Sequence, residues 1–280
     1  MKAFISADME GITGIAAPED VVRDEPEYER GVDLLHADVN AAVEGAVAGG
    51  AETVLVNDSH SSMRNLDRER LDDRATLIRG NTKPRSMMQG LTDEFDVALF
   101  VGYHAKAGTA EAVLNHTFFG HALQALYVDG TEAGELGWNA RLAGSLGIPV
   151  GLVTGDDATV AEARDELTDP EVVEVKQAID RFSARCRPTA ETGPEITEAS
   201  QQAVERADNG DLSPVQVPEP VEIAAAWATT NHAASAAGMP GVERQGGRRT
   251  AVTAETYPEA FEATVGMLRA GGAGTNEYYG

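Results

Sequence analysis

The first 190 residues alternate short apolar runs with longer segments in which apolar positions recur at helical spacing. The apolar runs predict strands over residues 3–8, 53–58, 97–103, 123–128 and 150–154. The helical spacing predicts helices over residues 28–48, 135–146 and 158–167, and Gly49-Gly50 gives the first helix a stop signal. Strand–helix alternation of this kind indicates an α/β fold, layered around a mostly parallel sheet.

The pattern changes after about residue 188, where four prolines punctuate a polar, acidic stretch. Beyond it the sequence predicts a strand over 221–226, a helix over 230–237, a strand over 249–254 and a helix over 258–269. We therefore predict an α/β metal-binding catalytic domain over residues 1–190. A smaller α+β domain over residues 191–280 is a candidate for oligomer contacts. The glycine-rich end, 271–280, is expected to be mobile or to pack between subunits.

Charge and cysteine content exclude several classes of protein. The formal net charge of −24 argues against a nucleic-acid-binding surface, which requires a basic patch. The single cysteine, Cys186, rules out an internal disulfide and favours a reducing cytoplasm. No apolar run approaches the roughly 20 residues of a membrane span, and the N-terminal residues do not resemble a signal peptide. We therefore expect a cytoplasmic protein without a nucleic-acid or membrane partner.

Residues suited to metal binding follow three of the predicted strands. Asp8 and Glu10 follow the first strand, His60 the second and His104 the third. The carboxyl ends of parallel strands share one edge of a sheet, which is where α/β proteins bind ligands. In an extended backbone, side chains two apart also point to the same face, so Asp8 and Glu10 would act together. Taken singly, these residues are ordinary loop acids and structural histidines, but their convergence indicates a metal site.

A fourth segment adds a carboxylate at the start of the helix predicted over 135–146. Glu132 and Glu135 could each compensate the helix dipole, and the ligand interpretation depends on the other residues. Asp8, Glu10, His60, His104 and Glu135 are together too many ligands for one tetrahedral zinc ion. Two metals that share a bridging carboxylate require about this number. Imidazole and carboxylate ligands without a thiolate suit Zn, with Mn or Co as substitutes.

Four motifs in a fixed order resemble the DppA-type D-aminopeptidase family: residues 6–12, 56–61, 102–105 and 134–140. The likeness implies a binuclear zinc peptidase with two zinc ions per subunit. It implies that Asp8 bridges both metals, that Glu10 and His104 complete one site, and that His60 and Glu135 complete the other. The family's catalytic histidine matches His116, and His121 is its rival.

The resemblance also implies an activity and an assembly. By this resemblance, the protein is expected to form a cytoplasmic, ring-shaped homodecamer. It is also expected to release N-terminal D-amino acids from short peptides, with a metal-bridging water as the attacking group. The alternatives are another binuclear-metal amidase or a phosphoesterase, or a peptide-binding protein without catalysis. The sequence does not determine the native metal or the preference for D- or L-residues. It also leaves three roles for His116: proton carrier, electrostatic stabiliser or nucleophile.

Other candidate residues have simpler interpretations. We expect His36 and His232 to be structural and Cys186 to be inert. Asp58 either orients His60 or serves as a turn residue at the end of its strand.

The balance of charges predicts dependence on salt. The chain has 46 acidic residues but only four lysines, a composition typical of proteins from a high-salt cytoplasm. When salt is removed, the protein should lose its structure or its assembly, because ions in solution no longer screen the repulsion between acidic side chains. Circular dichroism and size-exclusion chromatography in molar and in millimolar KCl test this. Unchanged folding and size at low ionic strength would contradict it.

Overall fold

The computed structural model describes residues 1–274, so most of the predicted glycine-rich tail, 275–280, lies outside the described residues. The strands are β1 Lys2–Ala7, β2 Thr53–Asp58, β3 Ala75–Ile78, β4 Val97–Val101, β5 Leu123–Val128, β6 Thr131–Ala133, β7 Val150–Asp156, β8 Glu171–Asp180, β9 Ser183–Cys186, β10 Val221–Trp227, β11 Glu243–Arg244 and β12 Arg249–Ala254. The α-helices are α1 Pro18–Val21, α2 Tyr28–Ala48, α3 Glu135–Ser145, α4 Asp157–Glu166, α5 Thr189–Asp208, α6 Thr230–Ala236 and α7 Tyr257–Gly272.

The first sheet is mostly parallel, which confirms the predicted α/β architecture. Its strand order is β3-β2-β1-β4-β7-β8-β9, and only the β8–β9 pair is antiparallel. Strand β1 pairs in parallel with both β2 and β4. The chain therefore builds the sheet outward from β1 in both directions, which makes β1 and β4 a topological switch point. This arrangement brings the carboxyl ends of β1, β2 and β4 side by side.

Helix α5 forms where the sequence pattern indicated an irregular, proline-punctuated segment. Its 20 residues include Pro194, which removes a backbone donor from the helix. The helix packs on α2 and buries Ile196, Ala203 and Val204, and Ser200 Oγ donates to the carbonyl of Ala42 at 2.7 Å. Tertiary packing thus stabilises a helix whose local sequence is unfavourable.

The second sheet is antiparallel, with the order β11-β12-β10-β5-β6, and α6 and α7 pack on it. Strands β5 and β6 come from the middle of the chain, whereas β10 and β12 come from its last quarter. The division between the sheets therefore does not coincide with the change in sequence pattern after about residue 188. Within residues 1–274, no helix has both the length and the apolar character required to cross a bilayer.

Because α2 and α5 are in close contact, we expect Gly→Ala substitutions at Gly45 and Gly193 to change the free energy of unfolding in opposite directions. A Cβ atom at Gly45 in α2 would lie 2.1 Å from the carbonyl oxygen of Thr197, whereas one at Gly193 in α5 would meet nothing within 4 Å. Gly45→Ala should lower the free energy of unfolding by at least about 2 kcal/mol through overpacking. Gly193→Ala, the control, should raise it by up to about 1 kcal/mol through helix propensity. Urea unfolding measures both, and equal effects would contradict the packing.

Candidate metal centre

The predicted ligands meet at the carboxyl edge of the first sheet. Asp8 and Glu10 follow β1, His60 follows β2 and His104 follows β4, while Glu135 is the first residue of α3 and is carried by the chain that leaves the second sheet. All five residues are buried, each at most 7% exposed. The structure therefore brings together the complete ligand set that the sequence indicated.

A tight turn, rather than strand alternation, places Asp8 and Glu10 together. Strand β1 ends at Ala7, and the next residues turn against the end of β4, where the Gly11 N–H donates to Gly102 O at 2.8 Å. A Cβ atom on Gly11 would lie 1.8 Å from the carbonyl oxygen of Tyr103. The glycine is therefore required by the close approach of two backbones, and the expectation of an extended Asp8–Glu10 segment was wrong.

Asp8 lies between two groups of side chains that could bind a metal ion. His60 Nδ1 is 2.9 Å from Glu10 Oε2 and 3.4 Å from Asp8 Oδ1. On the other side, His104 Nε2 is 3.6 Å from Asp8 Oδ2 and 3.5 Å from Glu135 Oε1. Donor atoms of Asp8, Glu10 and His60 lie within 4.8 Å of one another, and so do those of Asp8, His104 and Glu135. We call these the His60 set and the His104 set.

The two sets share Asp8, in agreement with its expected bridging position. Their other members differ from the pairing that the family resemblance implied. Glu10 lies against His60, and Glu135 lies against His104, instead of the reverse. The reason is topological, since β2 and β4 flank β1 on opposite sides and deliver their histidines to opposite sides of Asp8. A third, overlapping group of donors consists of Glu10, His104 and His116.

Burial of these carboxylates favours positive charge beside them. Burial, reinforced by the neighbouring Glu10 carboxylate, raises the pKa of Asp8 to about 7, and its Oδ2 atom is buried without a hydrogen-bond partner. Burial opposes ionisation of Glu10 too, but His60 lowers the pKa of Glu10 well below its usual value. Three buried carboxylates with two imidazoles and no thiolate form a donor set that fits two zinc ions. The orphaned Oδ2 atom of Asp8 is 3.6 Å from His104 Nε2, and a cation held by the His104 set would satisfy it.

His116 lies against this cluster and is partly exposed. Its ring stacks on that of His104 with centroids 4.1 Å apart, and its Nε2 is 3.9 Å from Glu10 Oε1 and 4.0 Å from Glu135 Oε1. Its Nδ1 is 2.8 Å from the carbonyl oxygen of Leu114. Burial and the nearby His104 lower the pKa of His116, which favours the neutral imidazole. The side chain is thus held at one nitrogen and presents the other to the cluster.

The remaining histidines of the described residues lie outside the groups of metal-binding side chains. His121 is exposed, and its ring faces Phe119 and His232 rather than the five ligands. His36 contacts Val32 O at 2.8 Å and Asp67 N at 2.9 Å, which satisfies both ring nitrogens. The geometry therefore favours His116 over His121 as the catalytic candidate.

The Asp58 carboxylate serves the turn after β2, where it accepts hydrogen bonds from Asn65 and Leu66. The backbone N–H groups of these two residues donate to it at 2.6 and 2.7 Å. Asn65 Nδ2 also donates to Asp58 Oδ1 at 2.9 Å and to the carbonyl of His60 at 2.8 Å. Of the two sequence interpretations, the structure supports the turn residue, and Asn65 connects that turn to the ligand.

Some groups that support the cluster were missed by sequence reasoning. The backbone N–H of Phe118 donates to Glu135 Oε1 at 2.6 Å, which fixes that carboxylate from the segment that carries His116. Two buried lysines, Lys83 and Lys176, donate to the loops that carry the His60 set. A backbone N–H donor such as that of Phe118 cannot be identified from the sequence. Lys176, by contrast, interrupts the alternation of apolar residues in β8, and this position could have indicated a buried functional lysine.

A cavity of about 770 Å³ opens beside the ligands and is lined by Asp8, Glu10, His60, His116 and Glu135. Its size lies within the range of small-molecule sites. Arg23 and Arg269 line other parts of its wall, so the cavity carries both signs of charge. A ligand of peptide size could therefore reach the cluster from solvent.

Comparisons with known proteins identify a family that the chain matches over most of its length. The model of a family described as D-aminopeptidase matches residues 1–265. A D-aminopeptidase from Bacillus subtilis (strain 168) is 37% identical over 270 residues, which cover 95% of this chain and 96% of the relative. The solved structure of a Zn-dependent D-aminopeptidase DppA from Bacillus subtilis, described as a self-compartmentalizing protease, matches with a TM-score of 0.94 and 35% identity, covering 99% of this chain and 100% of that one. The chain belongs to the D-aminopeptidase family.

Proposed function

We propose that this protein is a zinc-dependent aminopeptidase that binds two zinc ions and releases the N-terminal D-amino acid of short peptides. The observation that carries the proposal is the pair of buried ligand sets that share Asp8 beside His116, at the wall of a peptide-sized cavity. Zn-dependence and D-aminopeptidase activity are named for the relatives, and their similarity extends over nearly the whole chain.

The five ligands form one set for each zinc ion, with Asp8 in both sets. Asp8, Glu10 and His60 would hold one zinc ion, and Asp8, His104 and Glu135 the other. When bound, the pair supplies Lewis-acid polarisation of the scissile carbonyl and lowers the pKa of water from about 15.7 towards 7. The N–H of Phe118 keeps Glu135 oriented, and the turn at Gly11 keeps Asp8 and Glu10 together.

His116 is suited to carry a proton between water and the leaving amine. Hydrogen bonding of Nδ1–H to Leu114 O leaves Nε2 as the basic nitrogen, directed towards the ligand cluster. A neutral imidazole accepts the proton of the attacking water at Nε2 and returns it from Nε2 to the amine nitrogen as the peptide bond breaks. The lowered pKa of His116 keeps the imidazole in its accepting form near neutral pH.

Assembly and cellular location extend the same proposal. The relative of known structure is described as self-compartmentalizing, and we propose that this chain also forms a homo-oligomer, a decameric ring. We propose the cytoplasm of a cell with high internal salt as its location. The exposed, unpaired Cys186 and the acid-rich composition support this location.

Substrate profiling tests the proposed activity. Zinc-loaded protein should hydrolyse D-Ala-D-Ala and D-alanyl amides much faster than the matching L-compounds, because a chiral pocket distinguishes the side-chain position. Metal analysis of the same sample should give about two zinc ions per chain, as expected for a paired-metal hydrolase. Phosphoester hydrolysis alone, or tight peptide binding without turnover, would contradict the proposal and support one of its alternatives.

Substitution of His116 separates catalysis from metal binding. His116→Ala should lower kcat by at least about 10²-fold, the lower end of the usual contribution of a proton carrier. Both zinc ions should stay bound, since each ligand set is complete without His116. The matched control, His121→Ala, should keep nearly full activity. Kinetics with metal analysis measure both quantities, and a dead His121→Ala enzyme beside an active His116→Ala enzyme would reverse the assignment.

A further inference from the structure

Two of the four lysines in this chain are buried beside the metal-ligand loops. Lys176 in β8 has no exposed surface, and Lys83, in the segment before Ser86, is 4% exposed. The two come from separate parts of the chain and reach the ligand loops from different elements. Lysine is almost never fully buried in proteins unless it is paired, so both positions require an explanation.

Lys176 supports the turn that carries Glu10. Its Nζ donates to the carbonyl oxygen of Glu10 at 2.6 Å and to that of Ile12 at 2.8 Å. The opposite side of this turn is held by the end of β4, through Asp8 N to Val101 O and Gly11 N to Gly102 O, both at 2.8 Å. The ammonium group therefore completes a clamp on the turn that presents two of the metal ligands.

Lys83 makes the equivalent contact at the end of β2. Its Nζ donates to the carbonyl oxygen of Asp58 at 2.6 Å and to Asn57 Oδ1 at 2.7 Å. Asn57 Nδ2 in turn donates to Met87 O at 2.6 Å, which connects β2 to the segment that follows Lys83. Asp58 precedes His60 by two residues, so this contact fixes the backbone from which His60 projects.

Both lysines serve the same half of the cluster. Lys176 holds the backbone of Glu10, Lys83 holds the backbone that leads to His60, and these two ligands belong to the His60 set. His104 and Glu135 are secured differently: Tyr103 N donates to Thr154 O at 3.0 Å, and the N–H of Phe118 donates to Glu135.

Burial of these two lysines does not by itself stabilise the fold. Removing an ammonium group from water is strongly unfavourable, and apolar side chains of similar volume are often at least as stabilising as buried charged groups. Burial lowers the pKa of both Lys83 and Lys176 to about 8. Only a function that an apolar side chain cannot provide, such as fixing carbonyl groups in place, explains both positions.

We infer that Lys83 and Lys176 are positioning residues that hold the ligands of the His60 set in place for metal binding. This inference rests on the proposed metal sites. Outer groups that orient metal ligands commonly contribute a factor of about 10–100 to metal affinity. Loss of either lysine should therefore weaken the metal bound by Asp8, Glu10 and His60 and leave the metal at the His104 set in place.

Cobalt titration of the full-length protein tests the inference. Metal-free wild type, Lys176→Met and Lys83→Met are titrated with Co²⁺, followed by visible absorption and by competition with a chelator. Lys2→Met is the matched control, since Lys2 pairs with Glu94 at the surface. His60→Ala and His104→Ala provide the reference spectra for loss of each set.

Both lysine variants should bind one Co²⁺ as tightly as wild type and the second at least about tenfold more weakly. The missing absorption should match that lost in His60→Ala, and Lys2→Met should behave as wild type. Wild-type affinity for both ions in the lysine variants, or equal weakening of both, would overturn the inference. If Lys176→Met does not fold, Lys83→Met decides by the same criteria. A wild-type protein that does not bind two cations would overturn the proposed function itself.

Discussion

Repulsion among three buried carboxylates is the constraint on which this structure depends. Asp8 contacts both His60 and His104, Glu10 lies beside His60 and Glu135 beside His104, and little of the surface of the three carboxylates is exposed. Ionised carboxylates at such distances are stable only beside positive charge. In their protonated form, which the carboxylates favour by raising the pKa of His60 and His104, the two histidines supply part of this charge, but Asp8 keeps one oxygen without a partner. The site is thus built for cations, and its chemistry follows from that requirement.

The scaffold meets this requirement by joining two sheets at one edge. The parallel sheet delivers Asp8, Glu10, His60 and His104 from adjacent strand ends, because β1 pairs with both β2 and β4. The antiparallel sheet delivers the fifth ligand, since β6 leads directly into α3 and Glu135. His116 lies on the connection between β4 and β5, where the chain passes from one sheet to the other. The catalytic candidate is therefore fixed by the same crossing that completes the ligand set.

The positions of two lysines contrast with the acidic composition of the chain. The chain is strongly acidic and poor in lysine, yet two of its lysines are inside the fold, beside the acidic cluster. Each donates to backbone carbonyl groups of a ligand loop. Buried carbonyls require donors, and the turns that present ligands cannot obtain all of them from a regular sheet. A long cationic side chain reaches such carbonyls from a neighbouring strand or loop.

The sequence by itself determined the elements near the site and its candidate ligands. Periodic apolar positions gave α2 its observed bounds, 28–48, and polar residues directly after apolar runs indicated Asp8, His60 and His104. These features are local, so composition and spacing reveal them. Only the tertiary structure decided that Glu10 lies beside His60 and Glu135 beside His104, because that depends on which strands flank β1. It also decided that α5 is a helix despite Pro194, and that β5 and β6 pair with strands from the last quarter of the chain. Those outcomes arise from contacts between residues far apart in sequence, which a local pattern does not record.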